Sequence, residues 1–268
     1  PLMLYYKGVE GLWNKRSLAV VGTRKATSYG KRLCEEIVSA FSNETMVIYS
    51  GMAYGIDSCA HRAALSAGLP TIGVVGHGLD RIYPHENRNM ARRMVEQGGL
   101  LTEFLSGSKP DRENFPKRNR IIAGLSDAVL VVEDATKGGA VITAEIANSY
   151  NRDIFAVPGR VHDEFSDGCH LLIRRNIAAL ARTADDIRYS MGWESAPVAR
   201  KNMEELLQQH SPEERKILQV IINKGKASID DIILISGLGA SNAASVLLKL
   251  EFEGCISGLP GKMYELRR

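Results

Sequence analysis

No stretch of this chain approaches the roughly 20 apolar residues that a membrane-spanning helix needs, so no span is expected. The N-terminus lacks the basic-then-apolar pattern of a secretory signal. The chain opens on Pro1 rather than Met, and Pro1 is therefore expected to lie inside a longer natural chain. Cysteine is sparse: Cys34, Cys59, Cys169 and Cys255 are scattered, with no CxxC pair and no Cys/His cluster in the sequence. That pattern argues against a disulfide framework and structural zinc, and it fits a reducing cytoplasm, the expected location. Also missing are GxGxxG after the first strand-like run, a Walker A loop, HExxH and the GxSxG nucleophile elbow. Nicotinamide binding and ATP hydrolysis thus lack their usual signatures, and no cofactor, metal or catalytic residue is assigned.

What is present is ordinary globular material. Hydrophobic residues are 44% and charged residues 24% of 268, which excludes disorder and collagen-like repeats. From Ser17 to about Asp186, near-continuous apolar runs recur at Ser17–Gly22, Met46–Tyr49, Thr71–Val75, Leu100–Glu103, Ala128–Glu133 and Asp153–Val157. Strands buried on both faces of a parallel sheet read this way. Amphipathic stretches lie between them, among them Tyr29–Phe41, Ser58–Ala67 and Asn87–Gln97. Asp57 reads as a helix cap, and Gly68 with Pro70 as a helix stop. The alternation predicts a doubly wound, mostly parallel α/β sheet.

Such sheets bind ligands beyond the carboxyl ends of their strands. Gly22-Thr23-Arg24 follows the first run, Ser50-Gly51-Met52-Ala53-Tyr54-Gly55-Ile56-Asp57 the second, and Lys137-Gly138-Gly139-Ala140 the fifth. Taken singly, each glycine serves a tight turn. Taken together with Arg24, the loops make an anion pocket of backbone amides and a bidentate clamp. Net charge is only +3, so distribution matters more than total. Lys109, Arg112, Lys117, Arg118 and Arg120 face only Asp111 and Glu113 within Lys109–Arg120, a local excess of 5 − 2 = +3. Pro116 reads as a first helical position, which puts Lys117, Arg118, Asn119 and Arg120 in the first turn. Cations there oppose the helix dipole unless an anion joins them. Phe115 beside them can stack on a base or serve as plain core. The six histidines are dispersed; His61 and His170 read as structural, and His77 and His85 lie near the site edge. Asp57 and Glu145 are the nearest carboxylates, and no acid/base pair emerges.

The pattern changes near Ser190. A linker is expected over 190–205, separating a first domain, 1–189, from a small unit, 206–268. There Pro212–Asn223, Ser228–Ser236 and Ala240–Phe252 read as helices, with Ser228 as an N-cap, and Gly254–Leu266 as two short strands. Three helices and a hairpin make a winged helix-turn-helix pattern. Leu206–Arg268 holds eight Lys/Arg and seven Asp/Glu, which is nearly neutral.

Three motifs now stand out: Val21-Gly22-Thr23-Arg24, Ser50-Gly51-x-Ala53-x-Gly55-Ile56-Asp57, and Phe115-Pro116-x-Arg118-Asn119-Arg120-Ile121-Ile122-Ala123-Gly124-Leu125-Ser126. With Tyr83-Pro84-His85-Glu86-Asn87, they resemble the DNA-processing protein A family (DprA, also called Smf), in order from about Leu4 to Arg268. Gly138-Gly139-Ala140-Val141-Ile142-Thr143-Ala144 departs from that family's usual Gly-Ser-Leu-x-Thr-Ala. The resemblance implies a Rossmann-like domain that binds single-stranded DNA irrespective of sequence, plus a small winged-helix-like domain. It further implies a homodimer that loads the RecA recombinase, supports natural transformation in competent cells and catalyses no established reaction. Carried over by position, Arg24 is the phosphate-binding arginine. Gly22, Ser50, Gly51 and Gly55 line the pocket, Lys117, Arg118, Asn119 and Arg120 supply the rest, and Lys137 is peripheral. A side chain within Lys117–Arg120 can instead brace the loop. Two other functions remain open: a nucleotide-binding enzyme of phosphoribohydrolase type, using the Lys137–Glu145 turn, and a regulator whose winged unit reads duplex DNA.

Overall fold

The computed structural model describes residues 1–193, 210–253, 255–259 and 261–266. The chain divides into two compact units, Pro1–Ser195 and Ala196–Arg268. The first carries an eight-stranded sheet: β1 (Tyr5–Gly8), β2 (Arg16–Val21), β3 (Met46–Ser50), β4 (Thr71–Val74), β5 (Gly99–Thr102), β6 (Ala128–Val131), β7 (Asp153–Ala156) and β8 (Ala179–Leu180). Their spatial order is β1-β5-β4-β3-β2-β6-β7-β8. Every pairing is parallel except that of β1 with β5. Helices α1 (Ser28–Ser39), α2 (Ile56–Ser66), α3 (Arg88–Gln97), α4 (Asn114–Leu125), α5 (Gly139–Ser149), α6 (Asp167–Arg174) and α7 (Ala184–Met191) connect or flank the strands.

The two-residue period of a strand explains why the runs lack alternation. On β2, Leu18 and Val20 pack with Ile37 and Val38 of α1 and Ile56 of α2. Ala19 and Val21 point the other way, into Ile121 and Ile122 of α4 and Ala140 and Ala144 of α5. Both faces are covered, so both positions are apolar. Each fully buried Leu or Ile contributes about 1.5–3 kcal/mol, which makes this double layer the main support of the sheet. The doubly wound α/β fold is the one expected. The edge strands β1 and β8 were not: Tyr5-Tyr6-Lys7-Gly8 and Ala179-Leu180 are too short for a buried run.

Two boundaries differ from expectation. Asp57 is the second residue of α2 rather than its cap, which is Gly55. The first residues of the linker expected over 190–205 belong to the first unit. Helix α7 runs to Met191, and Trp193 is buried edge-on to Phe41 with ring centroids 6.5 Å apart. Apolar burial of the indole outweighs the Gly and Ser around it. The rest of that linker, and the expected domain start at Leu206, lie outside the described residues.

The second unit contains α8 (Pro212–Lys224), β9 (Lys226–Ser228), α9 (Ile229–Ser236), α10 (Ala240–Phe252), β10 (Ile256–Leu259) and β11 (Met263–Leu266), with sheet order β10-β11-β9. Ser211 and Ser228 form capping boxes with Glu214 and Asp231, which satisfies the first amides of α8 and α9. Ile217, Leu218, Ile221, Ile232, Leu247 and Leu250 close its core. Strand β9 is the element the sequence concealed, because Lys-Ala-Ser carries no strand pattern. Among the described residues no single helix is long and apolar enough to cross a membrane.

Candidate functional site

Strands β3, β4 and β5 lie to one side of β2, and β6 and β7 to the other. The chain therefore reverses direction between β2 and β6, and a crevice must open beyond their carboxyl ends. A cleft of about 890 Å3 lies there, lined by Val21 to Lys25 at the end of β2, by Asp134, Ala135, Gly139, Ala140, Ile142 and Thr143 around the start of α5, and by Phe115, Arg118, Asn119 and Ile122 of α4.

Of the residues proposed from sequence, Gly22, Arg24, Phe115, Arg118 and Asn119 line this cleft. Gly22 sits tightly: a Cβ there would lie 2.5 Å from Ile56 and 3.0 Å from the Glu133 carbonyl. Arg24 is exposed, with its guanidinium 5.3 Å from the centre of the Phe115 ring. Phe115 in turn stacks on Tyr83 at 6.2 Å and 28°. Tyr83, 46% exposed, is a site residue that the sequence reading placed only inside a family motif. A cation and two aromatic faces thus share one rim.

Other expected ligands are engaged elsewhere. Ser50 is fully buried and donates its hydroxyl to the Val20 carbonyl at 2.6 Å, so it braces two strands. Arg118 is buried and donates to the carbonyls of Gly51, at 2.5 Å, and Val74. Burial lowers its pKa to about 10, against the opposing pull of Asp57. Burial likewise raises the Asp57 carboxyl above its ordinary value, and the Arg118 charge works against that rise. Gly51 fits between the two: a Cβ there would meet Asp57 at 2.6 Å and the Arg118 guanidinium carbon at 2.7 Å. Gly55, at φ +78°, lets α2 start directly against the backbone of Thr23 and Arg24. Ser50, Gly51, Gly55 and Arg118 therefore build the wall rather than offer groups to a ligand.

Helix α4 starts at Asn114, which makes Pro116 its third residue and leaves only Lys117 of the basic run in the first turn. The Asp111 carboxylate and carbonyl receive the amides of Glu113 and Asn114, so the turn closes earlier than Pro116 suggests. Lys117 is exposed. Asn119 accepts from the Arg118 side chain at 3.1 Å. Arg120 pairs with Glu103. Lys137 is exposed but is not among the lining residues.

The turn before α5 holds a surprise. Asp134, which the sequence reading passed over, accepts the amides of Ala140 at 2.7 Å and Val141 at 3.1 Å. Its carboxylate already occupies the helix N-terminus that a phosphate would use. Glu145 lies on the far side of α5, exposed and 3.7 Å from Arg175. The phosphoribohydrolase alternative thus has neither an open anion site at this turn nor its glutamate in the cleft. Among the acids lining the cleft, Asp57 is offset by Arg118 and Asp134 by amides. Arg24, Lys25 and Arg112 then stand against Glu164, all four exposed. The open rim is cationic although its floor is acidic.

Comparison with known proteins agrees with this geometry. Residues 1–192 match the model of the family DNA recombination-mediator protein A, and residues 201–262 that of the DprA winged helix domain. The chain is 34% identical to Protein Smf of Synechocystis sp. over all of its own length and 75% of that protein. It is 42% identical to DNA processing protein DprA of Streptococcus pneumoniae over 70% of this chain and 66% of that one. The solved structure of the Streptococcus pneumoniae protein superposes with a TM-score of 0.66, covering 69% of this chain and 64% of that one. That of DNA processing protein A from Helicobacter pylori, reported for its single-stranded DNA binding mode, gives 0.65 at 28% identity, covering 70% and 86%.

Proposed function

Because this chain belongs to the DNA recombination-mediator protein A family, a family of DNA-binding mediators rather than enzymes, we propose that it holds single-stranded DNA along the cleft rim beyond β2 and β6. The single observation that carries the reading is the exposed Arg24 beside the Phe115–Tyr83 stack, at the one place where the strand order reverses. Arg24, with Lys25 and Arg112, takes backbone phosphates; Phe115 and Tyr83 take base faces. Phosphate contacts supply affinity without sequence, and stacking tolerates any base. Lys117, Asn119 and Lys137 extend the track, while Gly22 keeps the backbone close to it.

The strand so held is delivered to the RecA recombinase by a homodimer, in homologous recombination and natural transformation. The winged unit, nearly neutral, contacts protein or binds DNA weakly rather than reading a duplex strongly. A mobility-shift assay with matched single and double strands tests the binding reading. The single strand is expected to bind more tightly, with a log–log salt slope of about −0.7 per contacted phosphate. Equal affinity for the duplex, or no salt dependence, rejects it. Faster RecA assembly on strands already covered by single-strand binding protein tests the delivery step.

A further inference from the structure

The sequence offers no CxxC pair and no Cys/His cluster, yet the fold of the second unit assembles one from distant parts. His210 lies just before the cap of α8, Glu253 caps the end of α10, and Cys255 lies just before β10. The His210 Nε2 atom is 3.5 Å from Cys255 Sγ and 3.7 Å from Glu253 Oε2. The three donor atoms all lie within 4.8 Å of one another.

We propose that His210, Glu253 and Cys255 form a binding site for one divalent ion of the zinc class, with the fourth position open to water. With Zn–N and Zn–O near 2.1 Å and Zn–S near 2.3 Å, a tetrahedral site has N···S and N···O edges of about 3.6 and 3.4 Å. The first observed edge lies about 0.1 Å from this, the second needs a contraction of a few tenths of an ångström, and the third, from Sγ to the carboxylate, lies within 4.8 Å and closes by movement of the exposed Glu253 side chain. One nitrogen, one sulfur and one oxygen donor suit a borderline-soft ion rather than magnesium or calcium, which prefer oxygen alone.

Access and charge agree with the geometry. The His210 side chain is 12% exposed and Glu253 43%, so an imidazole held in place faces a carboxylate that solvent can reach. Lys249 engages the other oxygen of Glu253, Oε1, at 3.7 Å, which leaves Oε2 turned toward His210. Glu214 is committed to Lys249 and to the Ser211 amide, so among the described residues no fourth side chain joins the set. Binding moves no electrons: the Cys255 S–H bond breaks, its proton passes to water, and the S–metal bond forms. A neutral imidazole, a thiolate and a carboxylate then balance the two positive charges of the ion. The ion would staple the entry of the winged unit to its wing.

Titration of the full chain with Co2+, after chelation and dialysis, tests the site. One equivalent is expected to give a near-ultraviolet thiolate-to-cobalt absorption that Zn2+ displaces. Cys255→Ser is expected to abolish the band, and Cys169→Ser, which alters a fully buried thiol, to keep it. Glu253→Gln, at the exposed edge, is expected to retain the fold and weaken Co2+ binding about tenfold or more. Absence of the band at one equivalent, or a band that survives Cys255→Ser, overturns the proposal. Should Cys255→Ser fail to fold, unchanged affinity in Glu253→Gln overturns it equally.

Discussion

The turn after β2 and the second turn of α4 each bring an arginine to the same phenylalanine, Arg24 at 5.3 Å and Arg118 at 6.0 Å. Arg24 is exposed and Arg118 is 4% exposed. The inner arginine is spent on the fold: it satisfies two carbonyls and sets its charge against a buried carboxylate. The outer one faces solvent at a cationic rim. Residue type within a motif therefore says little about role; distance from the floor of the cleft decides it.

The sharpest way to break this contrast is Arg118→Ala. It leaves Asp57 buried without its countercharge and two carbonyls without a donor, and is expected to cost about 3–5 kcal/mol. Chemical denaturation reads it. A loss below 1 kcal/mol would put Arg118 in the same class as Arg24.

Acid probes the same wall. His61 is fully buried with Nδ1 2.7 Å from Thr71 Oγ1, and Thr71 spends its one hydroxyl proton on the Ile48 carbonyl. Burial, aided by the Arg118 and Arg62 charges, depresses the His61 pKa to about 3 from 6.5. A cationic acid depressed in the folded state binds its proton first in the unfolded chain. Its contribution is thus complete above pH 6.5 and is lost as pH falls toward 3. Between pH 7 and pH 5 the fold should lose about 2 kcal/mol through this group. Denaturation midpoints across that range check it; a His61→Phe variant with an equally steep profile would refute the assignment.

Arg24→Ala should leave stability unchanged and weaken single-strand binding about tenfold, the scale of a lost charge-assisted contact. Fluorescence anisotropy should also show a salt slope shallower by about 0.7. Smaller still, Tyr83→Ala should cost about 1 kcal/mol of binding, and Tyr83→Phe nearly none, because stacking needs the ring and not the hydroxyl.

How far the sequence could be read follows the same divide. Buried parallel strands announce themselves, since Leu18 to Val21 must be apolar on both faces. Ser228 was legible as a cap because Asp231 completes its box three residues on. Arg24 stood out because a loop after a strand carries function. Ser50, Gly51 and Arg118 sit in equally distinctive motifs, but burial of their side chains is a tertiary property that no local pattern records. Asp134 was invisible for another reason: an acid beside Glu133 at a strand end looks solvated until α5 folds its amides onto it. The cluster of His210, Glu253 and Cys255 was hidden by sequence separation alone.

Hydrogen exchange of the full chain with and without oligothymidylate tests the central claim most directly. Protection is predicted in the turn 22–25 and across 110–120, with residues 43–45 and 68–70, at the opposite rim of the sheet, unchanged. Protection confined to that opposite rim would contradict the account.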